Sequence, residues 1–287
     1  MSVIIGCGDV GRRIARMLDE AGFPLDQIFG LVNSSASAQA CSVLGITAQR
    51  FDLDALQSDL QQCDQAEIYY TVAPQKTGLK DQRTQALLEH FSAKKITPSK
   101  AVVISTTGVY GDCEGQWVDE LSPTQPLTER GQRRLDLEQQ WLAWGDAANV
   151  PIVILRVPGI YANSRLPVER IKKRTPVVAA KECGFTNRIH ADDLAEIAVS
   201  AMRLAKSGEI FNVTDGTPGK ISEYLQAVAK VLGEEPLPEI SMAEAQTQLS
   251  EGMLSYLSES RKISNKKMLN ELKIVLRYPD FRQGIKF

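Results

Sequence analysis

A glycine-rich turn near the start of the chain constrains the fold more than any other feature. A short β-branched run, Val3–Ile5, leads into Gly6, Gly8 and Gly11, and a helical pattern begins at Val10. This order of strand, turn and helix is typical of a βαβ unit that binds dinucleotides. We expect Gly6 to allow the tight turn, Gly8 to admit a pyrophosphate and Gly11 to let the helix pack on the strand. The alternative is a structural turn without a ligand.

Other candidate cofactor residues follow from the strand ends. The second β-type run ends in Val32-Asn33-Ser34, which offers no Asp or Glu to bind ribose hydroxyls. Neutral side chains there, with Arg12 or Arg13 nearby, favour NADP, and NAD is the alternative. Asp52 either accepts a hydrogen bond from adenine or caps a helix starting at Leu53. The predicted cofactor residues in these segments are Gly6, Gly8, Asp9, Val10, Gly11, Arg12, Asn33, Ser34, Asp52, Leu53, Val72, Ala73 and Pro74.

Composition excludes several classes of protein. The 287 residues carry a net charge of −2, so no basic field favours nucleic acid. No apolar run reaches the ~18 residues of a membrane span, and the first strand begins too early for a signal peptide. The five cysteines are scattered, which indicates reduced thiols and a cytoplasmic location. With only His90 and His190, we expect no metal site.

The order of apolar runs predicts an α/β fold, a Rossmann-type doubly wound parallel sheet with a smaller C-terminal substrate-binding lobe. The predicted strands are Val3–Ile5, Ile28–Val32, Ile46–Phe51, Glu67–Val72, Ala101–Ser105, Ile152–Arg156 and, later, Ile210–Val213. The predicted helices are Val10–Ala21, Ala36–Leu44, Leu53–Gln62, Asp81–Phe91, Thr128–Ala148 and, later, Asp193–Lys206. We assign residues 1–156, with about 188–215, to the cofactor domain, and about 157–187 with 216–287 to the smaller lobe.

Three further segments carry the motifs of a known family. They are Ser105-Thr106-Thr107-Gly108-Val109-Tyr110-Gly111, Arg156-Val157-Pro158-Gly159-Ile160-Tyr161 and Arg188-Ile189-His190-Ala191-Asp192-Asp193-Leu194-Ala195. With the glycine turn, they resemble the extended short-chain dehydrogenase/reductase family, the NAD-dependent epimerase/dehydratases, over nearly the whole chain. The resemblance implies that Thr106 binds the reacting oxygen and that Pro158 lies beside the cofactor.

The chain departs from the family at the proton-transfer motif. Where the family carries Tyr-Gly-x-Ser-Lys, this chain reads Arg130-Gly131-Gln132-Arg133-Arg134, followed by the matching Glu138. An arginine stays protonated at working pH, so Arg130 cannot act as a general base. The chain therefore resembles atypical members that lack the Tyr/Lys pair, although Arg134 could still bind the cofactor ribose. Tyr110 is the candidate replacement acid beside Thr106, with Tyr161 and His190 as alternatives.

A basic stretch after the sixth strand suggests how a substrate is held. Arg165 begins a run that includes Arg170, Lys172, Lys173 and Arg174, and arginine suits a pyrophosphate. The alternative is a solvated helical face. The resemblance adds a further set of candidates, so the predicted substrate-binding residues are Thr107, Tyr161, Arg165 and Arg188.

Three functions are compatible with these residues. The first is an NAD(P)-dependent reductase, epimerase or dehydratase with a non-standard proton donor, acting on a nucleotide-sugar-like or small carbonyl substrate. The second is a non-catalytic NADP-binding sensor or regulatory protein, and the third is a relic with an empty site. The expected partner is a small molecule, with no nucleic acid or membrane. The chain would be a monomer, or a homodimer formed through the predicted helix within Leu127–Trp144.

Overall fold

Seven parallel strands form the central sheet of this protein. The computed structural model describes residues 1–56 and 59–286. The strands are β1 (Ser2–Ile5), β2 (Ile28–Val32), β3 (Thr47–Arg50), β4 (Glu67–Tyr70), β5 (Lys100–Thr106), β6 (Trp117–Val118), β7 (Ile152–Val157), β8 (Gly159–Tyr161), β9 (Val177–Val178), β10 (Arg188–His190), β11 (Ile210–Asn212), β12 (Glu239–Ile240) and β13 (Lys262–Ile263). The helices are α1 (Asp9–Glu20), α2 (Ser35–Ser42), α3 (Gln82–Lys94), α4 (Glu129–Ala148), α5 (Val168–Lys172), α6 (Ala191–Leu204), α7 (Ile221–Val231), α8 (Met242–Gln248), α9 (Glu251–Leu257), α10 (Lys266–Glu271) and α11 (Phe281–Gly284).

The strand order in the central sheet is β11-β7-β5-β4-β1-β2-β3, so the order reverses between β4 and β1. Both faces of the sheet are covered, with α1 and α6 packed together on one face and α3 and α4 on the other. This arrangement confirms the predicted Rossmann-type α/β fold. In such sheets ligands bind beyond the carboxyl ends of the strands at the reversal point.

The helix predicted over Leu53–Gln62 is wrong for the part of this segment that the structure describes. Residues 53 and 54 form a turn, residue 55 lies in a bend, and a 3₁₀ turn spans Gln61–Cys63. Residues 57 and 58 lie outside the described residues. Asp52 does not cap a helix, because its Oδ1 accepts the N–H of Asp54 at 2.9 Å in a local turn. Leu60 has φ +54°, a left-handed conformation that interrupts a helix.

A second apolar cluster lies outside the main sheet. It joins Ile171 of α5, Tyr224 and Val228 of α7, and Phe281 of α11. Within the C-terminal segment, Met268 packs on the core of the main sheet instead. Among the described residues, no helix combines the length and the apolar character required to cross a bilayer.

Candidate active site

The glycine turn lies at the carboxyl end of β1 and leads directly into α1. Gly6 has φ +87°, and a Cβ at this position would lie 2.8 Å from Cγ2 of Val72. A Cβ on Gly11 would lie 2.9 Å from Cγ2 of Ile4, so this glycine allows the helix to approach the strand. By contrast, a Cβ on Gly8 would meet only the Gly6 carbonyl oxygen, at 3.7 Å. Gly8 therefore leaves an open backbone face at the N-terminus of α1, which fits a pyrophosphate.

A first cleft of about 240 Å³ begins at this turn and runs over the ends of β1, β2 and β4. The predicted cofactor residues that line it are Gly6, Gly8, Asn33, Asp52, Leu53, Val72 and Ala73. Ser37 lines the same cleft and was not predicted. Among the described residues, the cleft lining offers hydroxyl, amide and backbone groups, the Asp52 carboxylate and the Arg83 guanidinium, a set that suits an adenosine moiety.

Several predicted cofactor residues lie outside the lining of this cleft. The Ser34 hydroxyl accepts the N–H of Ser37 at 3.1 Å and caps α2. Val10 packs against the core of the main sheet, and Pro74 follows the lining residue Ala73. Ser34 thus caps a helix and Val10 contacts the core. The cleft lining gives no support to the prediction that Ser34, Val10 and Pro74 contact the cofactor directly.

Arg165 contacts Asp9 beside the glycine turn, whereas the sequence analysis predicts that it binds the substrate. Its Nη1 lies 3.2 Å from Oδ2 of Asp9, the first residue of α1. Arg13 also pairs with Asp9, at 3.4 Å, and with Asp192. Asp9 is therefore neutralised by two guanidinium groups, and Arg13 is occupied by carboxylates.

Arg83 on α3 is a first-cleft residue that the sequence reasoning missed. Its Nη1 donates to the carbonyl oxygen of Ala73 at 3.1 Å, and its Nη2 pairs with Asp54 at 2.5 Å. The hydrogen bonds that Arg83 donates to the Asp54 carboxylate raise the pKa of Arg83, so the guanidinium stays charged at the cleft edge. No motif in the sequence indicated Arg83, because the residue reaches the first cleft from α3, the helix that follows β4.

A second cleft of about 250 Å³ adjoins the end of β5. Of the predicted residues, Thr106, Thr107, Arg134 and Pro158 line it. Its other lining residues are Gly108, Arg130, Gly159, Phe185, Thr186, Asn187, Tyr256, Glu259 and Arg261. Thr106 lines the cleft, and its Oγ1 accepts the N–H of Gly108 at 3.2 Å.

Arg134 connects the two clefts. Its Nη1 donates to the carbonyl oxygens of Val72, at 3.3 Å, and Ile104, at 3.0 Å. Burial lowers the pKa of this guanidinium, and the nearby Arg130 charge acts in the same direction. An anion bound beside Arg134 would compensate a charge that the protein desolvates.

Glu259 and Arg261 are second-cleft residues that the sequence reasoning also missed. Oε2 of Glu259 lies 2.8 Å from Nη2 of Arg261, and Nη1 of Arg261 donates to the carbonyl oxygen of Gly111. Both residues lie far from β5 in the sequence, and no motif there shows that their segment returns to this strand.

Tyr110 is buried and does not line either cleft, so the geometry gives no support to its predicted role as a catalytic acid. Its hydroxyl donates to Oδ1 of Asn212 and accepts from Nη1 of Arg156, each at 2.9 Å. Arg156 also pairs with the buried Glu138 at 2.8 Å. Burial raises the pKa of Tyr110, which is a structural member of this network.

Tyr161 and Arg188 are likewise buried and do not line the second cleft, so the geometry gives no support to their predicted role as substrate residues. The Tyr161 ring packs edge-on against His190, with ring centroids 5.1 Å apart. The Arg188 guanidinium lies 4.6 Å from the centre of the Tyr224 ring. Their neighbours in sequence suggested a ligand role, but both side chains turn into the second apolar cluster. His190 itself caps α6, since Nδ1 accepts the N–H of Asp192 at 3.2 Å.

The floor of the glycine turn contains two thiols. Sγ of Cys41 lies 3.6 Å from Sγ of Cys7, and both residues are fully buried beneath Gly30. Burial raises the pKa of the Cys7 thiol, which therefore stays protonated in the core. In the described part of the chain, no group of three or more His, Cys, Asp or Glu side chains is arranged to hold a metal ion.

The comparison with protein families agrees with this geometry. A family model described as "NAD dependent epimerase/dehydratase family" matches residues 3–214. This chain belongs to that family. A human dTDP-D-glucose 4,6-dehydratase is 25% identical over 130 residues, which span 42% of this chain and 37% of that protein.

Solved structures resemble almost the whole chain. A functionally unknown conserved protein from Silicibacter pomeroyi is 27% identical, with a TM-score of 0.84 over 98% of this chain and 95% of that chain. UDP-glucuronic acid 4-epimerase from Bacillus cereus, in complex with NAD, has a TM-score of 0.76 at 17% identity, covering 99% and 97% of the two chains. The second likeness shows the common fold.

Proposed function

We propose that this chain binds a nicotinamide dinucleotide in the first cleft and oxidises or reduces an anionic, nucleotide-sugar-like substrate in the second. The observation that carries the proposal is the composition of the second cleft. It brings Thr106 together with the guanidinium groups of Arg130, Arg134 and Arg261. Arginine side chains in a cleft favour phosphate or carboxylate groups.

The residues of the two clefts have different roles in this proposal. The dinucleotide, when bound, supplies a hydride donor or acceptor. The Thr106 hydroxyl orients the reacting oxygen, and Arg134 holds an anionic group between the clefts. Arg130 is exposed and stands where related enzymes carry tyrosine, but its guanidinium cannot accept a proton. The proton must therefore move through another group of the second cleft.

We also propose a preference for NADP over NAD. Asn33 and Ser37 give the first cleft neutral groups at the end of β2. Arg13 pairs with Asp9 and Asp192, and Arg12, which makes no ion pair with another described residue, is the cation that we assign to a 2′-phosphate. The ratio of NADP to NAD dissociation constants should approach one in Arg12→Ala and stay unchanged in the exposed Arg16→Ala. Equal affinity of the unmodified protein for both dinucleotides would contradict the preference.

A non-catalytic dinucleotide-binding protein is the second candidate. The exposed Arg130 at the proton-transfer position favours it, because no tyrosine faces the cleft from α4. Such a protein would bind dinucleotide and change its oligomeric size or a partner contact without turning over a substrate.

One experiment separates the two functions. The protein is purified without added cofactor and denatured, and the released small molecules are identified by mass spectrometry. NADP recovered with a nucleotide sugar or a carbonyl compound supports the enzyme. The protein with bound dinucleotide is then mixed with UDP-glucuronic acid, UDP-glucose or dTDP-glucose. The absorbance of the reduced nicotinamide reports whether hydride is transferred. Dinucleotide binding without absorbance change for any of these substrates supports the binding protein.

A further inference from the structure

The second cleft contains a buried carboxylate with one unused oxygen. Glu259 is 7% exposed, and its Oε2 is held by Arg261 at 2.8 Å. Its Oε1 has no hydrogen-bond partner among the described residues. Buried polar atoms without a partner are rare, and an ionised carboxylate can only accept hydrogen bonds. Oε1 is therefore placed to accept from a ligand.

The surrounding contacts link this carboxylate to the turn that follows Thr106. A single guanidinium, that of Arg261, bridges Oε2 of Glu259 and the carbonyl oxygen of Gly111. Gly111 ends the short turn that begins directly after Thr106. Glu259 and Thr106 thus line one cleft from two segments that Arg261 ties together.

Close packing fixes the backbone that carries Glu259. A Cβ on Gly184 would lie 2.9 Å from the Glu259 carbonyl oxygen and 2.8 Å from Cβ of Ser260. The N–H of Phe185 donates to Oγ of Ser260 at 2.9 Å. A reactive group needs such support, because misplacement by about 1 Å costs rate.

The other polar groups of the cleft are poorer proton acceptors. Arg130, Arg134 and Arg261 remain protonated. Tyr256 lines the cleft, but no hydrogen bond or ion pair with another described residue orients its hydroxyl. Among the described residues that line this cleft, Glu259 is the one that combines a carboxylate oxygen, able to accept a proton, with a side chain held in place by an ion pair.

We propose that Glu259 is the catalytic acid–base of the second cleft, in the role that Arg130 cannot fill. This inference rests on the proposed function. As a substrate hydroxyl is oxidised, its O–H proton passes to Oε1 of Glu259. The hydrogen on the same carbon leaves with its electron pair to an oxidised nicotinamide dinucleotide, and the carbon–oxygen double bond forms. In the reverse direction, protonated Glu259 returns the proton to the oxygen.

The same arrangement specifies the class of substrate. Arg130 and Arg134 favour an anionic group, while Oε1 of Glu259 requires a hydroxyl donor. The preferred substrate is thus a secondary alcohol, or the matching ketone, that carries a phosphate or carboxylate group.

The test compares Glu259→Gln with Tyr256→Phe and with the exposed Glu251→Gln as a matched control. Each variant, loaded with dinucleotide, is assayed from pH 5 to 9 with UDP-glucuronic acid, UDP-glucose, dTDP-glucose and 6-phosphogluconate. We expect Glu259→Gln to lower kcat at least about 100-fold, with little change in KM, and to lose the acid limb of the pH profile. Glu251→Gln should match the unmodified protein. Dinucleotide affinity and melting temperature report on folding in every variant.

A rescue experiment covers the case in which Glu259→Gln fails to fold. In Glu259→Ala, added formate should restore turnover in proportion to its concentration, which a purely structural role does not allow. Loss of kcat in Tyr256→Phe with normal turnover in Glu259→Gln would overturn the assignment in favour of Tyr256. Normal turnover in both variants would overturn it while leaving the proposed function intact. No turnover of any substrate by the unmodified protein would overturn both.

Discussion

Nη1 of Arg165 lies 3.2 Å from Oδ2 of Asp9, although 156 positions separate the two residues. The segment after β8 thereby reaches the first turn of α1, beside the open face of Gly8. Arg165 offsets the negative charge of Asp9 where a pyrophosphate would lie.

Arg165→Ala should therefore weaken dinucleotide binding about fivefold, the equivalent of ~1 kcal/mol for a partly exposed charge pair. Titration calorimetry at low and high salt measures the effect, which should shrink as salt increases. Lys173→Ala removes an equal charge from an exposed position of the neighbouring segment and should leave the affinity unchanged. Equal effects of the two substitutions would show that only net charge matters.

Gly8 and Gly11 should respond differently to the same added methyl group. In Gly8→Ala the methyl group meets only the Gly6 carbonyl oxygen, at an ordinary contact distance of 3.7 Å, so the variant should retain stability. It should reduce dinucleotide affinity at least about tenfold, because the methyl group occupies the ligand face. Gly11→Ala would crowd Ile4 and should lower the free energy of unfolding by about 1–3 kcal/mol. Denaturant titration and dinucleotide titration of both variants check this. A stability loss confined to Gly8→Ala would contradict the placement.

The hydroxyl of Tyr110 should affect stability and not ligand binding. Tyr110→Phe removes an acceptor for Arg156 and a donor to Asn212, and we expect a loss of about 1–3 kcal/mol. Urea unfolding measures the loss, and dinucleotide affinity should be unchanged. Weaker dinucleotide binding with an unchanged free energy of unfolding would instead indicate that this hydroxyl contacts the ligand.

Asp215 should make the folded state less stable as pH rises. Burial raises its pKa from 3.8 to about 7, and the Asp280 and Asp193 charges add to the shift while Arg188 opposes it. Between these values the native state holds a proton that the unfolded chain has released. The free energy of unfolding should therefore fall as pH increases through this interval.

Asp215→Asn keeps the shape without the titrating proton and should flatten this pH dependence. Urea unfolding at pH 5 and pH 8 measures it, with the exposed Asp146→Asn retaining the slope of the unmodified protein. Identical slopes for all three proteins would show that Asp215 titrates normally.

The fold was predictable because its determinants are local. Alternating β-type and helical runs specify the parallel sheet, and the positions of Gly6, Gly8 and Gly11 specify the turn at its switch point. The helix predicted to begin at Leu53 was wrong for a physical reason that is equally local. The Asp52 carboxylate bonds to the backbone of Asp54, and this contact competes with the first turn of a helix.

The candidate site was predictable only where one segment supplies it. Thr106 and Thr107 follow β5 directly, and the strand end places them at the cleft. Glu259 and Arg261 reach the same cleft from beyond α9, a contact between distant segments that no spacing reveals. Arg188 shows the converse. It is a basic residue in a family motif, but its side chain packs against the second apolar cluster and does not line a cleft.

The thiols under the glycine turn have an evolutionary consequence. A Cβ on Gly30 would lie 3.1 Å from Cβ of Cys7 and 3.5 Å from Sγ of Cys41. Positions 7, 30 and 41 therefore share one fixed volume, although they belong to three different elements. Among homologous sequences, a larger residue at position 30 should appear only with a smaller one at position 7 or 41, so the three positions should covary as a set.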